Sequence, residues 1–343
     1  MEIISSLNQP HSEINKRNSK SSNSLYKGRI SRMHNSPAKD TVSFSGHANI
    51  EQIFKDGFVH LVQQTAFDRE PQTKEFVCDY IRKTFGHKNK IKIVSGGCST
   101  GEEPVSYSMR LYDMRNKVDI LGIDLGKKAI KQAKSRRFVF EIPKNNYDFQ
   151  KERGIPNPYT DVYLTKPGND GLTAAQQRFK SLFNEFMEPT NEKLKTPFWE
   201  WLTNIMNKKY EIAPLELERK AYRLKDGMAE NCDFVVGDIE NIDKILKGEK
   251  VDVISFNNAL YHLTTEYEYG DRIKLPDAED TIEELMTKFK NCLNKDGIVV
   301  FGEDEGAQLA DEENKMVPQI MKKLGFIPLN NTSKHDANVW KKG

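Results

Sequence analysis

Five short runs of almost unbroken β-branched and aliphatic residues constrain the fold more than anything else in this chain. They are IKIVSGG (91–97), VDILGIDL (118–125), CDFVVGDI (232–239), VDVISFNNAL (251–260) and GIVVFGED (297–304). Stretches of helical period alternate with them: Pro104–Arg115, Lys127–Arg136 and Glu279–Leu293. Strands that are apolar on both faces, separated by helices, belong to a parallel sheet covered on both sides. The chain therefore reads as α/β, with a Rossmann-like, mainly parallel sheet. The last 20 residues are expected to add an antiparallel C-terminal strand.

The sheet region begins near residue 87. Ahead of it, Ile53, Phe54, Phe58, Leu61 and Val62, then Phe76, Val77, Tyr80, Ile81 and Phe85, recur at helical spacing, so 47–86 reads as a short helical segment. Residues 1–46 carry single apolar residues without period among Ser, Asn and Lys. With seven basic and three acidic side chains, they read as a disordered basic tail. Residues 87–343 form the main domain, interrupted at about 138–231. This interval carries Pro143, Pro156, Pro158, Pro167, Pro189, Pro197 and Pro214, and reads as a helical and irregular insertion over the carboxyl edge of the sheet. Trp199, Trp201, Leu202, Ile205 and Met206 are expected to form a small core within it.

The whole chain excludes several function classes. Lys and Arg number 52 against 50 acidic residues, a net charge of +2 that gives no electrostatic footprint for nucleic acid. Apolar residues make up 37%, and none of their runs approaches a membrane span, so no integral membrane segment is expected. The first residues lack the apolar stretch of a secretory leader, and a cytoplasmic protein is the expectation. Cys78, Cys98, Cys232 and Cys292 stand far apart without metal-ligand spacing. No metal site is expected.

Chemistry concentrates at the strand ends. The first strand runs into Gly96-Gly97-Cys98-Ser99-Thr100-Gly101-Glu102-Glu103-Pro104. Glycines there let a ligand approach the backbone closely, yet Cys98 breaks the dinucleotide fingerprint and no G-K-[ST] follows. Two carboxylates stand where a phosphate would meet a helix N-terminus, which suits a cationic ligand. Thr100 and Glu103 have the spacing of a capping box, leaving Glu102 to face the ligand. Asp124, at the end of the second strand, is placed to accept hydrogen bonds from a ribose. A nucleoside without phosphates fits, and S-adenosylmethionine is one.

Gln64-Thr65-Ala66-Phe67-Asp68-Arg69-Glu70, Cys98-Ser99-Thr100-Gly101-Glu102-Glu103-Pro104, Gly122-Ile123-Asp124 and Phe256-Asn257-Asn258-Ala259-Leu260-Tyr261 together resemble the CheR-type chemotaxis receptor glutamate methyltransferases. The last resemblances are Leu293-Asn294-Lys295-Asp296-Gly297 and the Asn338–Lys342 ending. The resemblance implies a class I methyltransferase sheet of seven strands and an S-adenosylmethionine-dependent O-methyltransferase acting on a glutamate carboxylate of a protein partner. It places Thr65, Arg69, Gly96, Gly97, Glu102, Asp124, Asp238, Ile239, Asn257 and Asn258 around the cofactor. Arg69 would also steer the acceptor carboxylate, and either Tyr261 or His262 takes the position of the family's active-site tyrosine. Asp68 stands where the family has a second Phe. The alternatives keep the cofactor. One has a small molecule or other nucleophile as acceptor, with Tyr261 or His262 as general base; the other is a binding protein without catalysis.

Overall fold

The structure, a computed structural model, describes residues 65–144, 161–192, 194, 198–209, 212–257, 259–268, 271–301, 310–329 and 338–343, all within the unit Asn49–Gly343. The tail 1–46 and the helical period at 53–62 lie outside them. In chain order come helix α1 (Pro71–Phe85), β1 (Ile91–Gly96), α2 (Glu102–Arg110), β2 (Val118–Asp124), α3 (Lys127–Ser135), β3 (Arg137–Pro143), α4 (Ala174–Phe186) and β4 (Met187–Thr190). There follow α5 (Phe198–Lys209), β5 (Leu217–Leu224), β6 (Cys232–Val236), β7 (Val251–Ser255), β8 (Thr265–Glu268) and β9 (Asp271–Lys274). The chain closes with α6 (Ala278–Cys292), β10 (Leu293–Phe301), α7 (Ala310–Lys323), β11 (Phe326–Pro328) and β12 (Asn338–Lys342).

The main sheet has seven strands in the order β11-β12-β10-β7-β1-β2-β6. The five from β10 to β6 are parallel, and β12 runs antiparallel beside β10, with Val300 opposite Val339. That is the Rossmann-like arrangement the apolar runs imply. Alternation along β1 divides its side chains between two cores: Ile91 and Ile93 pack with α1, α2 and α3, while Val94 packs with α6 and α7. On the first face, Val77, Ile81 and Phe85 of α1 recur at helical spacing and are buried, as are Val105 and Met109 of α2. On the second, α6 presents Ile282, Leu285, Met286 and Phe289. Each such buried side chain contributes about 1.5–3 kcal/mol.

The interval 138–231 departs from expectation. Its described part holds a three-stranded antiparallel sheet, order β3-β5-β4, with seven residue pairs between β3 and β5. The prolines that read as breakers occupy tolerated places. Pro143 ends β3 and Pro189 lies in β4, and both are edge strands, where a missing N–H interrupts no inner ladder. Helix α4 starts at a capping box of Thr173 and Gln176. Its Phe179, Phe183 and Phe186 are buried, and the first two meet Phe67, Phe140 and Tyr222 ring against ring. The region thus joins the main core beside α1 and α2. The expected core on α5 is only partly there: Met206 is buried, but Trp201 and Ile205 are 55% and 44% exposed, and the side chain of Trp199 lies outside the described residues. The hairpin β8–β9 was not signalled by any strand pattern.

Among the described residues no helix is long and apolar enough to cross a membrane. None of their His, Cys, Asp or Glu side chains cluster so as to hold a metal ion.

Candidate active site

The carboxyl ends of β1, β2, β6 and β7 form one edge, and the sequence-nominated residues gather along it. At the end of β1 the backbone is crowded: a Cβ on Gly96 would lie 2.8 Å from the Ile239 side chain and 3.0 Å from Phe256. Gly97 has φ +64, and a Cβ there would meet that of Ala259 at 2.8 Å. Both positions therefore need glycine. The loop then folds back on β2. The Cys98 N–H donates to the Ile123 carbonyl at 3.1 Å, and the Ser99 N–H to Asp124 Oδ2 at 2.8 Å. Asp124 Oδ1 accepts the Gly126 N–H at 2.7 Å, so both its oxygens are oriented while keeping lone pairs for hydroxyl donors. Asp238 caps the single turn Ile239–Asn241, accepting the Glu240 N–H at 3.0 Å, and sets the buried Ile239 against Gly96. Burial pushes the Cys98 thiol far up, so it is no nucleophile at neutral pH.

The capping box expected from Thr100 and Glu103 does not form. Gly101, at φ +95, is the residue before α2, and no side chain caps the helix. Thr100 instead donates to Glu102, at 2.6 Å and 2.7 Å to its two oxygens. Glu103 turns inward and gathers the Ser95 hydroxyl at 2.6 Å, the Ser255 hydroxyl at 3.2 Å, the Asn257 amide and the Lys74 ammonium at 3.5 Å. This network, which the capping-box spacing did not signal, ties β1, β7 and α1 together. It orients Asn257 so that its Nδ2 is used and its buried Oδ1 has no hydrogen-bond partner. A buried acceptor without a donor is costly, and a bound ligand can supply one.

Glu102 faces the other way. Thr65 Oγ1 donates to its Oε2 at 3.0 Å, which brings the segment before α1 directly onto the glycine loop. Two residues on, the Phe67 N–H donates to Asp161 Oδ2 at 3.1 Å. Burial is the largest influence on both acids. It pushes Glu102 up to about 7, against the pull of the two threonine hydroxyls, and Asp161 up to about 6, partly offset by Arg69. Each carboxylate also lies in the field of other charges, with Asp161 raising Glu102. A site so acidic and so dry accommodates a positive group.

The segment 65–70 takes an unusual course. Asp68 and Glu70 have φ 46 and 55, left-handed values that cost about 1–2 kcal/mol each for residues with a Cβ. Asp68, in place of the family's Phe, forms a bidentate pair with Arg110 of α2, with both bonds at 2.5 Å and both side chains buried. Arg110 also donates to the Ala175 carbonyl at 3.3 Å and lies 5.2 Å from the centre of the Phe179 ring. The Asp68 N–H donates to Ser106 Oγ at 2.9 Å, and Lys74 Nζ to the Arg69 carbonyl at 2.7 Å. Burial raises the Asp68 carboxyl while the Arg110 guanidinium pulls it back. Asp161, Arg110 and Lys74 escaped the sequence reading. Asp161 follows a proline-rich stretch without any pattern, and only the substitution at Asp68 hinted at a buried cation.

Thr65, Arg69, Gly96, Gly97, Glu102, Asp124, Asp238, Ile239 and Asn257 thus occupy the elements of one edge. Asn258 lies outside the described residues. Tyr261 and His262 open a single helical turn, Tyr261–Thr264, and their side chains lie outside the described ones. The present side chains fit S-adenosylmethionine: a glycine cradle, an oriented acceptor at Asp124, an orphaned Asn257 oxygen, and a buried Glu102 carboxylate suited to its cationic end.

Comparison with known families supports that fit. Residues 63–185 match the family described as "CheR methyltransferase, SAM binding domain". No curated protein matches the chain. Among solved structures, three similar ones are distant. A protein described as an rRNA-methylase from Clostridium thermocellum is 13% identical, with TM-score 0.36, covering 78% of this chain and 95% of that one. The CurJ carbon methyltransferase is 10% identical, with TM-score 0.38, covering 84% and 59%. Magnesium protoporphyrin IX methyltransferase from Synechocystis PCC 6803, with bound SAM, is 12% identical, with TM-score 0.33, covering 95% and 98%. Likenesses this remote bear on no residue and no substrate.

Proposed function

Because residues 63–185 match the S-adenosylmethionine-binding domain of the CheR methyltransferases, we propose that the chain methylates the side-chain carboxylate of a protein glutamate. The observation that supports this reading is the contact between the Thr65–Arg69 segment and the glycine loop at Glu102. It brings a guanidinium-bearing segment to the edge that would hold the cofactor. Arg69 would pair with the acceptor carboxylate and aim one oxygen at the methyl group. When bound, the cofactor supplies a methyl carbon already activated by a sulfonium. The bond from carbon to sulfur breaks as the ester bond forms, and its electron pair stays on sulfur.

An ionised carboxylate carries no proton to remove, so the protein's own contribution is positioning. Asp124 and the Gly96–Gly97 cradle would fix the nucleoside. Glu102 and Asn257 Oδ1 would hold the cationic end, and burial would exclude water from the line of attack.

Incubating the protein with methyl-labelled S-adenosylmethionine and a total protein extract of its host cell tests the reading. Labelled protein should release its label as methanol in mild base, as carboxyl methyl esters do. An Arg69→Ala variant should lose transfer even when S-adenosylmethionine is saturating. Base-stable label on protein, or label confined to small molecules, would remove glutamate from the proposal.

A further inference from the structure

The inserted interval and the Thr65–Arg69 segment are joined at three points. The Asp161 carboxylate takes the Phe67 N–H, the Phe67 ring packs among Phe138, Phe140, Phe179 and Phe183, and the Ala175 carbonyl takes Arg110, which clamps Asp68. Asp68 and Glu70, which flank Arg69, hold left-handed backbone angles that neither residue favours by itself. A segment in that state stays put only where its surroundings over-determine it.

We propose that Asp161 is a positioning residue supplied by the inserted interval, which with Arg110 holds the Thr65–Arg69 segment against Glu102 so that Thr65 and Arg69 meet the amino-acid end of the cofactor. The proposal rests on the methyl-transfer reading of the site. Asp161 acts through the backbone amide of Phe67 rather than through the ligand. The segment's other ties are the Asp68–Arg110 pair, the Ser106 hydroxyl on the Asp68 N–H and the Lys74 ammonium on the Arg69 carbonyl. Asp161 is the anchor nearest Thr65, and its removal frees the end of the segment that touches Glu102.

The consequence is selective. S-adenosylmethionine spans both ends of the edge, whereas adenosine reaches only the end built from Asp124, Asp238 and Ile239. In the full-length chain, Asp161→Ala should weaken S-adenosylmethionine binding about tenfold, the loss of roughly one well-made buried hydrogen bond, and leave adenosine within about twofold. Asp161→Asn keeps an acceptor for the Phe67 N–H and should restore the affinity. Amide exchange at Phe67 should speed up in the alanine variant and not in the asparagine variant. Should the alanine variant fail to fold, Asp161→Ser, whose hydroxyl is too short to reach Phe67, takes its place.

Equal weakening of both ligands, unchanged exchange, or an asparagine variant as poor as alanine would overturn the positioning role. If wild-type protein binds no S-adenosylmethionine, the methyl-transfer reading falls by that result. Exchange at Phe67 then still decides whether Asp161 anchors the segment.

Discussion

The glycine loop after β1 and the Thr65–Arg69 segment meet at Glu102, yet they are held by opposite means. The loop is shaped by what is missing: Gly96, Gly97 and Gly101 leave no room for a Cβ, and the backbone closes on β2 through amide hydrogen bonds. The segment is shaped by what is added, a buried ion pair and an acceptor from the inserted interval, acting on a backbone that would relax without them. The first wall is defined by excluded volume, while the second is defined by a buried ion pair and a borrowed acceptor. Mutations should therefore damage the two walls differently.

The largest effect falls on the second wall. Arg110→Met leaves Asp68 charged, unpaired and buried, and should destabilise the chain by about 3–5 kcal/mol in urea unfolding. Asp68→Leu combined with Arg110→Met should recover much of that loss, because a buried pair replaced by apolar groups is often neutral. If Arg110→Met alone is mild, the pair does not hold the segment, and the contrast between the walls collapses.

The same contrast explains what the sequence revealed. The parallel sheet was legible because its strands are apolar on both faces, and the glycine loop because only Gly fits at 96 and 97. Asp124 was legible as the acid ending the second strand. The antiparallel sheet was hidden because Pro143 and Pro189 read as breakers until they proved to lie on edge strands. The partners of Glu103 were hidden as well, since its spacing from Thr100 read as a capping box. Adjacent helical residues point about 100° apart, and which one turns toward Ser95 and Asn257 depends on β7, some 150 residues away. The struts at Arg110 and Asp161 depend on contacts 42 and 94 residues apart in the chain.

Next in size is a pH effect at the junction. Glu102 is raised from 4.5 to about 7, so between those values the folded chain keeps a proton that the unfolded chain has released. Stability is thus greatest at the acidic side and should fall as pH rises through this window, by a total on the order of 3 kcal/mol. Asp161, raised to about 6, adds a loss of the same sign; Arg69 opposes it, and the hydroxyls of Thr65 and Thr100 moderate Glu102. Glu102→Gln should reduce the fall of the urea midpoint across this window, leaving the parts due to the other raised carboxyls, Asp161, Asp68 and Glu141. A profile unchanged by that substitution would place the titration elsewhere.

The smallest of these effects tests the first wall. Gly122, on β2 beneath the loop, would bring a Cβ to 2.7 Å from Phe234 and 2.9 Å from Cys98 Sγ. Its φ is not in the left-handed region, so the difficulty is crowding alone, and Gly122→Ala should cost about 1–3 kcal/mol. Crowding can be relieved at its source. Adding Phe234→Leu should return part of the loss, with a coupling of at least about 0.5 kcal/mol, since the two side chains would be in contact. No such second substitution on the apolar side should rescue Arg110→Met while Asp68 keeps its charge. A wall defined by excluded volume yields to a smaller neighbour, whereas a wall defined by a buried charge yields only when the charge itself is removed. If Phe234→Leu fails to relieve Gly122→Ala, the loop too is held by more than the space around its glycines.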